Sequence, residues 1–130
     1  MKYLAFDTNA YRALDDDNKQ ITELIRSALV VGVPIPVLAE LYFGFENGNK
    51  KQENINKLAR FMQSPRIELL QINAETARIW GEISTELEQA GGRIQQNDIW
   101  IAALCKQYGF TLLTADKGFQ RIIGLDVISF

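Results

Sequence analysis

Apolar residues along this chain follow two periods in turn. Short, nearly unbroken runs at Tyr3–Phe6, Val30–Val33, Ile67–Ile72, Phe110–Thr114 and Val127–Phe130 read as strands. Between them, apolar residues recur every three or four positions, the mark of a helix with one buried face. A brief helix is expected around Asn9–Leu14, and another on Ile21, Leu24, Ile25, Ala28 and Leu29. Pro34 and Pro36 interrupt the second strand. Pro36 suits the first turn of a helix that runs to about Asn47, with Gly48 as its stop. Ile55, Leu58, Ala59 and Met62 mark a further helix, ended by Pro65. Asn73 then caps a long helix whose buried stripe is read as Ala77, Trp80, Ile83 and Leu87, closed by Gly91 and Gly92. Asn97 is read as the cap of a helix over Asp98–Tyr108, which Gly109 closes, and a short helix near Gly118–Ile123 precedes the last strand. The acidic run Asp15–Asp17 reads as the start of a helix, where negative charge suits the dipole.

Strands alternating with helices predict an α/β domain: a mainly parallel sheet of about five strands with helices on both faces. No repeat or linker divides the chain, so residues 1–130 are expected to form one domain. In such sheets ligands bind at the carboxyl ends of the strands.

Composition narrows the chemistry more than it narrows the fold. The chain has no histidine and a single cysteine, Cys105. That excludes a Ser-His-Asp triad, a Cys-His dyad, a His-ligated zinc or haem and an intrachain disulfide. Cys105 itself reads as a core residue. Catalysis is left to carboxylates, hydroxyls, amides and basic side chains, and carboxylates with a hard cation such as Mg²⁺ are the obvious combination. The apolar run at the N-terminus stops at Asp7, too short for an export signal, and no stretch is long enough for a membrane span. A cytoplasmic protein is expected.

Four carboxylates fall on the rim where a ligand is expected. Asp7 follows the first strand, Glu40 lies early in the helix after the second, Asp98 lies in the first turn of the helix before the fourth, and Asp116 lies two residues beyond the fourth. Asp98 heads a segment, Ile99–Cys105, that is apolar almost all round and therefore buried. Glu40 sits close to the stripe Val37, Leu41 and Phe45. Clustered carboxylates repel, and a divalent ion with oxygen ligands relieves the repulsion. Asp7, Asp98 and Asp116 also have plainer roles, as a cap, a dipole partner and a turn former, and a rim position alone would account for Glu40. Asn9 and Thr114 read by default as cap and strand-end residues, and Trp80 and Trp100 as core. The functional reading rests on the coincidence of all four acids on one rim.

Four segments carry a family resemblance: Leu4-Ala5-Phe6-Asp7-Thr8-Asn9, Leu38-Ala39-Glu40-Leu41, Asn97-Asp98-Ile99-Trp100-Ile101-Ala102-Ala103 and Leu113-Thr114-Ala115-Asp116-Lys117-Gly118-Phe119. In this order they closely resemble the PIN domain, and within it the VapC-type toxins of bacterial toxin–antitoxin modules. The resemblance implies a Mg²⁺- or Mn²⁺-dependent endoribonuclease. It assigns the acidic site to Asp7, Glu40, Asp98 and Asp116, with Asn9 and Thr114 in support. It further implies a homodimer and a small antitoxin that blocks the site and helps the complex bind promoter DNA. Ala115 and Gly118 depart from the larger polar residues of many relatives, which bears on substrate selection.

On this reading Asp7, Asp98 and Asp116 hold the metal, and Glu40 or Asp116 positions or deprotonates water. Arg12, Arg93 and Lys117, near the rim, are candidates to bind phosphates of a single-stranded or looped RNA. The alternatives are a metal-dependent DNA or flap-type nuclease, a phosphoacceptor receiver domain, and a catalytically silent PIN domain used for binding. The net charge of −2 does not oppose a nucleic-acid substrate, because setting the four acids aside leaves 14 cations against 12 anions.

Overall fold

The computed structural model describes residues 2–130; Met1 lies outside the described residues. Its strands are β1 (Tyr3–Phe6), β2 (Val30–Pro34), β3 (Ile67–Leu70), β4 (Thr111–Thr114) and β5 (Val127–Ser129). Its helices are α1 (Thr8–Asp15), α2 (Lys19–Ser27), α3 (Ile35–Glu46), α4 (Lys51–Met62), α5 (Ala74–Gln89) and α6 (Gln96–Tyr108), and a 3₁₀ turn spans Lys117–Arg121. All strand pairs are parallel, in the order β3-β2-β1-β4-β5. This differs from the flavodoxin-like order of receiver domains. Leu4, Ala5 and Phe6 in the central strand are all buried, as a parallel sheet covered on both faces requires.

From β1 the chain winds outward to β2 and β3, then returns to the other side of β1 as β4. The order therefore reverses between β1 and β4, and a crevice opens there at their carboxyl ends. α6 is the helix behind that crevice. Ile99 and Ile101–Cys105 are buried, and the helix packs on α5, α3, β2 and β4. Burial on nearly every side explains why its sequence lacks an amphipathic stripe. Gly109 ends it with φ 75°, a left-handed conformation suited to glycine. Cys105 is fully buried, and its thiol is pushed up to about 12, mainly by burial, so it is packing and not a nucleophile.

Several local expectations are corrected. Asp15 ends α1 and Asp16 caps its C-terminus, so the acidic run closes a helix; Asn18 is the residue that opens α2, accepting from the Ile21 N–H at 3.1 Å. Ala28 and Leu29 lie beyond α2, and Leu29 is exposed. Pro34 ends β2 in register with Leu70 and does not interrupt it. Asn97 is inside α6, whose cap position is Gln95. On α5 the buried stripe is Thr76, Ile79, Ile83 and Leu87, while Ala77 is exposed and Trp80 half-buried against Trp100. The Asn73 cap is present as a reciprocal box with Thr76.

Candidate active site

Asp7 is the residue at which β1 becomes α1. Its backbone N–H still extends the ladder to the Leu113 carbonyl at 3.3 Å, while its side chain turns to cap the helix, with Oδ1 accepting from the Ala10 N–H at 2.9 Å. The other oxygen, Oδ2, accepts a short hydrogen bond from Thr114 Oγ1 at the end of β4. Thr114 is fully buried, and its hydroxyl oxygen accepts in turn from the Asp116 N–H at 2.9 Å. One threonine thus ties the two strands of the crevice together and fixes where the next acid begins.

Asp116 caps the 3₁₀ turn, with Oδ1 accepting from the Gly118 N–H at 2.8 Å. A Cβ at Gly118 would stand 3.1 Å from that same oxygen, so a larger residue would press on the turn. Glu40, on α3, accepts from Thr8 Oγ1 at 3.0 Å. Asp98 lies in the first turn of α6, where N–H groups are free and the dipole favours negative charge.

Asp7, Glu40, Asp98 and Asp116 all line one pocket of about 280 Å³, together with Thr8, Asn9, Arg12, Phe43 and Gln95. An adjoining pocket of about 250 Å³ shares Gln95, Asp98 and Asp116, and adds Arg93, Gly118 and Arg121. The structure brings the acids, Asn9 and Arg12 together, places Thr114 beneath them and puts Arg93 next door. Lys117 opens the 3₁₀ turn and lines neither pocket. Thr8, Phe43, Gln95 and Arg121 were not singled out from sequence. Thr8 had a signal in standing beside Asp7, although its tie to Glu40 on α3 depends, like the other three, on tertiary placement.

The electrostatics are those of unrelieved like charge. Asp7 is raised above the ordinary carboxylate value, chiefly by burial, with Asp116 and Glu40 adding to the rise and its hydrogen bonds from Thr114 and Ala10 opposing it. Asp98 is pushed up to about 6 by burial first, then by Asp116, Glu40 and Asp7. Among the described residues none of these acids forms an ion pair. Nor, among them, do any three converge closely enough to hold an ion unaided. Oxygen donors spread around a shared pocket, with Asn9 and Gln95 amides beside them, fit a hard divalent cation that retains part of its water shell. They do not fit a soft metal, which would seek the thiolate and imidazole ligands this pocket lacks.

Comparison with known proteins places the chain in a family. The PIN domain family model matches residues 4–125. Ribonuclease VapC2 of Rickettsia felis is 36% identical over 104 residues, covering 79% of this chain and 76% of its own length. Ribonuclease VapC5 of Mycobacterium tuberculosis is 26% identical over 118 residues, 91% of this chain and 86% of that protein. Among solved structures, VapBC2 from Rickettsia felis bound to a DNA fragment from its promoter contains a chain that superposes with a TM-score of 0.86. That chain is 29% identical, and 98% of each chain is covered. DNA-bound VapBC from Salmonella typhimurium shares the fold, with a TM-score of 0.85 at 24% identity, covering 99% of this chain and 98% of that one.

Proposed function

Since the chain belongs to the PIN domain family, and within it to the VapC ribonucleases, we propose that its acid-lined pocket hydrolyses phosphodiester bonds in RNA. The observation that carries this reading is the meeting of Asp7, Glu40, Asp98 and Asp116, from four separate elements, in one pocket with no cation paired to any of them. Charge kept unpaired at a cost in stability is charge reserved for a ligand.

Asp7, Asp98 and Asp116 would hold the metal, Mg²⁺ or Mn²⁺, in part through the water it retains. When bound, it supplies positive charge that acidifies water and offsets the charge building on the phosphoryl oxygens. Thr114 holds the Asp7 carboxylate in place, and Thr8 does the same for Glu40. Glu40 accepts a proton from the attacking water, whose oxygen forms a new bond to phosphorus as the ester P–O bond opposite it breaks and the leaving oxygen takes a proton from solvent. Asn9 and Gln95 orient water or phosphate oxygens by hydrogen bonding. Single-stranded or looped RNA suits an open cleft of this kind.

The same reading gives the protein a cytoplasmic setting, self-association, and a small antitoxin partner through which the pair meets promoter DNA. It is consistent with the VapBC complexes among its structural neighbours. Among the described residues no helix is long and apolar enough to cross a membrane.

The test is cleavage by the purified protein. Chelation should abolish it, and Mg²⁺ or Mn²⁺ added singly should restore it, the more effective ion being the one the site is built for. Asp98→Asn should lower RNA cleavage at least about a hundredfold, the scale of losing a charge-stabilising group, with an unchanged circular dichroism spectrum. Equal cleavage by the variant would refute the assignment, and faster cleavage of DNA than of RNA would favour the DNA nuclease.

A further inference from the structure

Two arginines border the cleft, one in each of its two adjoining pockets, and each lies over a glycine. Arg12 lines the acid pocket itself, while Arg121 lines the adjoining pocket that shares Asp98 and Asp116. A Cβ at Gly44 would stand 3.0 Å from Arg12 Nη2, and one at Gly92 would stand 2.6 Å from Arg121 Nη1. Neither glycine has a positive φ, so backbone conformation does not demand it. Gly44 lies within α3, where glycine is among the least favoured residues. What both positions share is room for a guanidinium.

Both guanidiniums remain open to a ligand. Among the described residues neither Arg12 nor Arg121 forms an ion pair, although carboxylates line the same pockets. Arg121, at the end of the 3₁₀ turn, is held by the loop between α5 and α6, donating from Nη2 to the Arg93 carbonyl at 2.7 Å, which leaves its other N–H groups free. An oriented guanidinium with spare donors matches a phosphate. Flanking grips of this kind also answer a physical need, since a strand of phosphates entering a pocket lined by carboxylates is repelled wherever no cation intervenes.

We propose that Arg12 and Arg121 each seat the phosphate next to the scissile one, on opposite sides, so that an RNA strand crosses the cleft from the α1–α3 edge to the Gly91–Gln95 loop. This rests on the ribonuclease reading of the pocket. Gly92 is a positioning residue that acts through Arg121.

The experiment uses the purified full chain and a short single-stranded RNA spanning a mapped cleavage site. Arg12→Ala and Arg121→Ala should each raise KM about tenfold, the scale of one charge-assisted contact, with kcat little changed. Each should also lower the steepness of the salt dependence by about one phosphate contact. A neutral methylphosphonate at one flanking position should weaken the wild type by the same factor and leave Arg121→Ala unaffected. The same substitution on the other flank should behave likewise for Arg12→Ala. Gly92→Ala, whose Cβ would displace the Arg121 guanidinium without removing it, should raise KM less than Arg121→Ala and add nothing in its background. Wild-type cleavage with KM unmoved in both arginine variants overturns the clamp and leaves the ribonuclease reading standing. So do methylphosphonate losses that ignore both variants. If the wild type cleaves no RNA with either metal, both fall.

Discussion

On the outer face of α5, Arg78 reaches Glu75 one turn before it and Glu82 one turn after it, and all three side chains are about half exposed. At the carboxyl edge of the sheet, Asp7, Glu40, Asp98 and Asp116 share a pocket with no ion pair to any of them. The α5 charges are neutralised where water would have screened them anyway. The pocket charges are left opposed where burial makes opposition expensive, as the raised Asp7 and Asp98 show. Charge arranged for helix solubility finds its partner within the fold, whereas charge arranged for chemistry waits for one. The experiments that break or sharpen this contrast run from the pocket outward.

The largest effect on stability is expected at Thr114, which is fully buried and serves two acids at once. Thr114→Val keeps the shape but leaves one Asp7 oxygen and the Asp116 N–H without their partner. Denaturant titration should show a loss of about 1–3 kcal/mol, the cost of unsatisfied buried polar groups. RNA cleavage should fall about tenfold, in line with lost support for a reacting carboxylate. Because the threonine hydroxyl lowers the Asp7 pKa, its removal should also move the acidic limb of the rate profile to higher pH. A variant as stable and as active as the wild type would reduce Thr114 to an ordinary strand end.

Thr114 also marks the boundary of what the chain declares about itself. The strand β1, the Asn73 cap, the Gly109 stop and the placement of the acids at strand ends are legible because each follows from local pattern: an apolar run, a cap residue, a glycine that can turn left-handed. The long-range tie from Thr114 to Asp7 is not, because no spacing encodes which strand will lie beside β1. The α5 stripe fails for a related reason. Thr76 looks like a solvent residue, but it is buried because its hydroxyl bonds within the Asn73 cap and to Gln107 on α6. That satisfied hydroxyl shifts the buried face to Thr76 and Ile79 and turns Ala77 outward. Asp15–Asp17 is misread because negative charge at a helix end opposes the dipole; Lys57 offsets it, pairing with Asp15 at 3.0 Å from α4. In the pocket, the acids are legible as residue types, while Arg121 and Phe43 are visible only once loops and helices are docked.

A smaller effect follows from pH. Asp98 titrates near 6 in the fold against an ordinary value of 3.8. Between those values the folded protein holds a proton that the unfolded chain has released. In metal-free protein its contribution to stability is therefore greatest below about pH 4 and is lost as pH rises to about 6. Asp98→Asn should remove the Asp98 share of this decline, leaving that of Asp7, and raise stability at neutral pH by about 1 kcal/mol, a figure discounted for solvent screening at a half-buried group. Divalent ion should do for the wild type what the substitution does for the variant, and should do little to the variant itself. Thermal melts across pH, with chelator and with Mg²⁺, separate these cases. A wild type that loses no stability over that interval would mean the carboxylates do not strain the fold.

The smallest effect belongs to the comparison's other half. Arg78→Ala strips the α5 network of its only cation, yet Glu75 and Glu82 are left in water and one turn or more from any further acid of that face. Its melting temperature should match the wild type in ordinary buffer and separate slightly only at low salt, where screening no longer hides surface charge. RNA cleavage should be unchanged, since Arg78 lines neither pocket of the cleft. A marked drop in stability would show that paired surface charge supports this fold as strongly as the buried tie at Thr114, and the division drawn between the two clusters would fail.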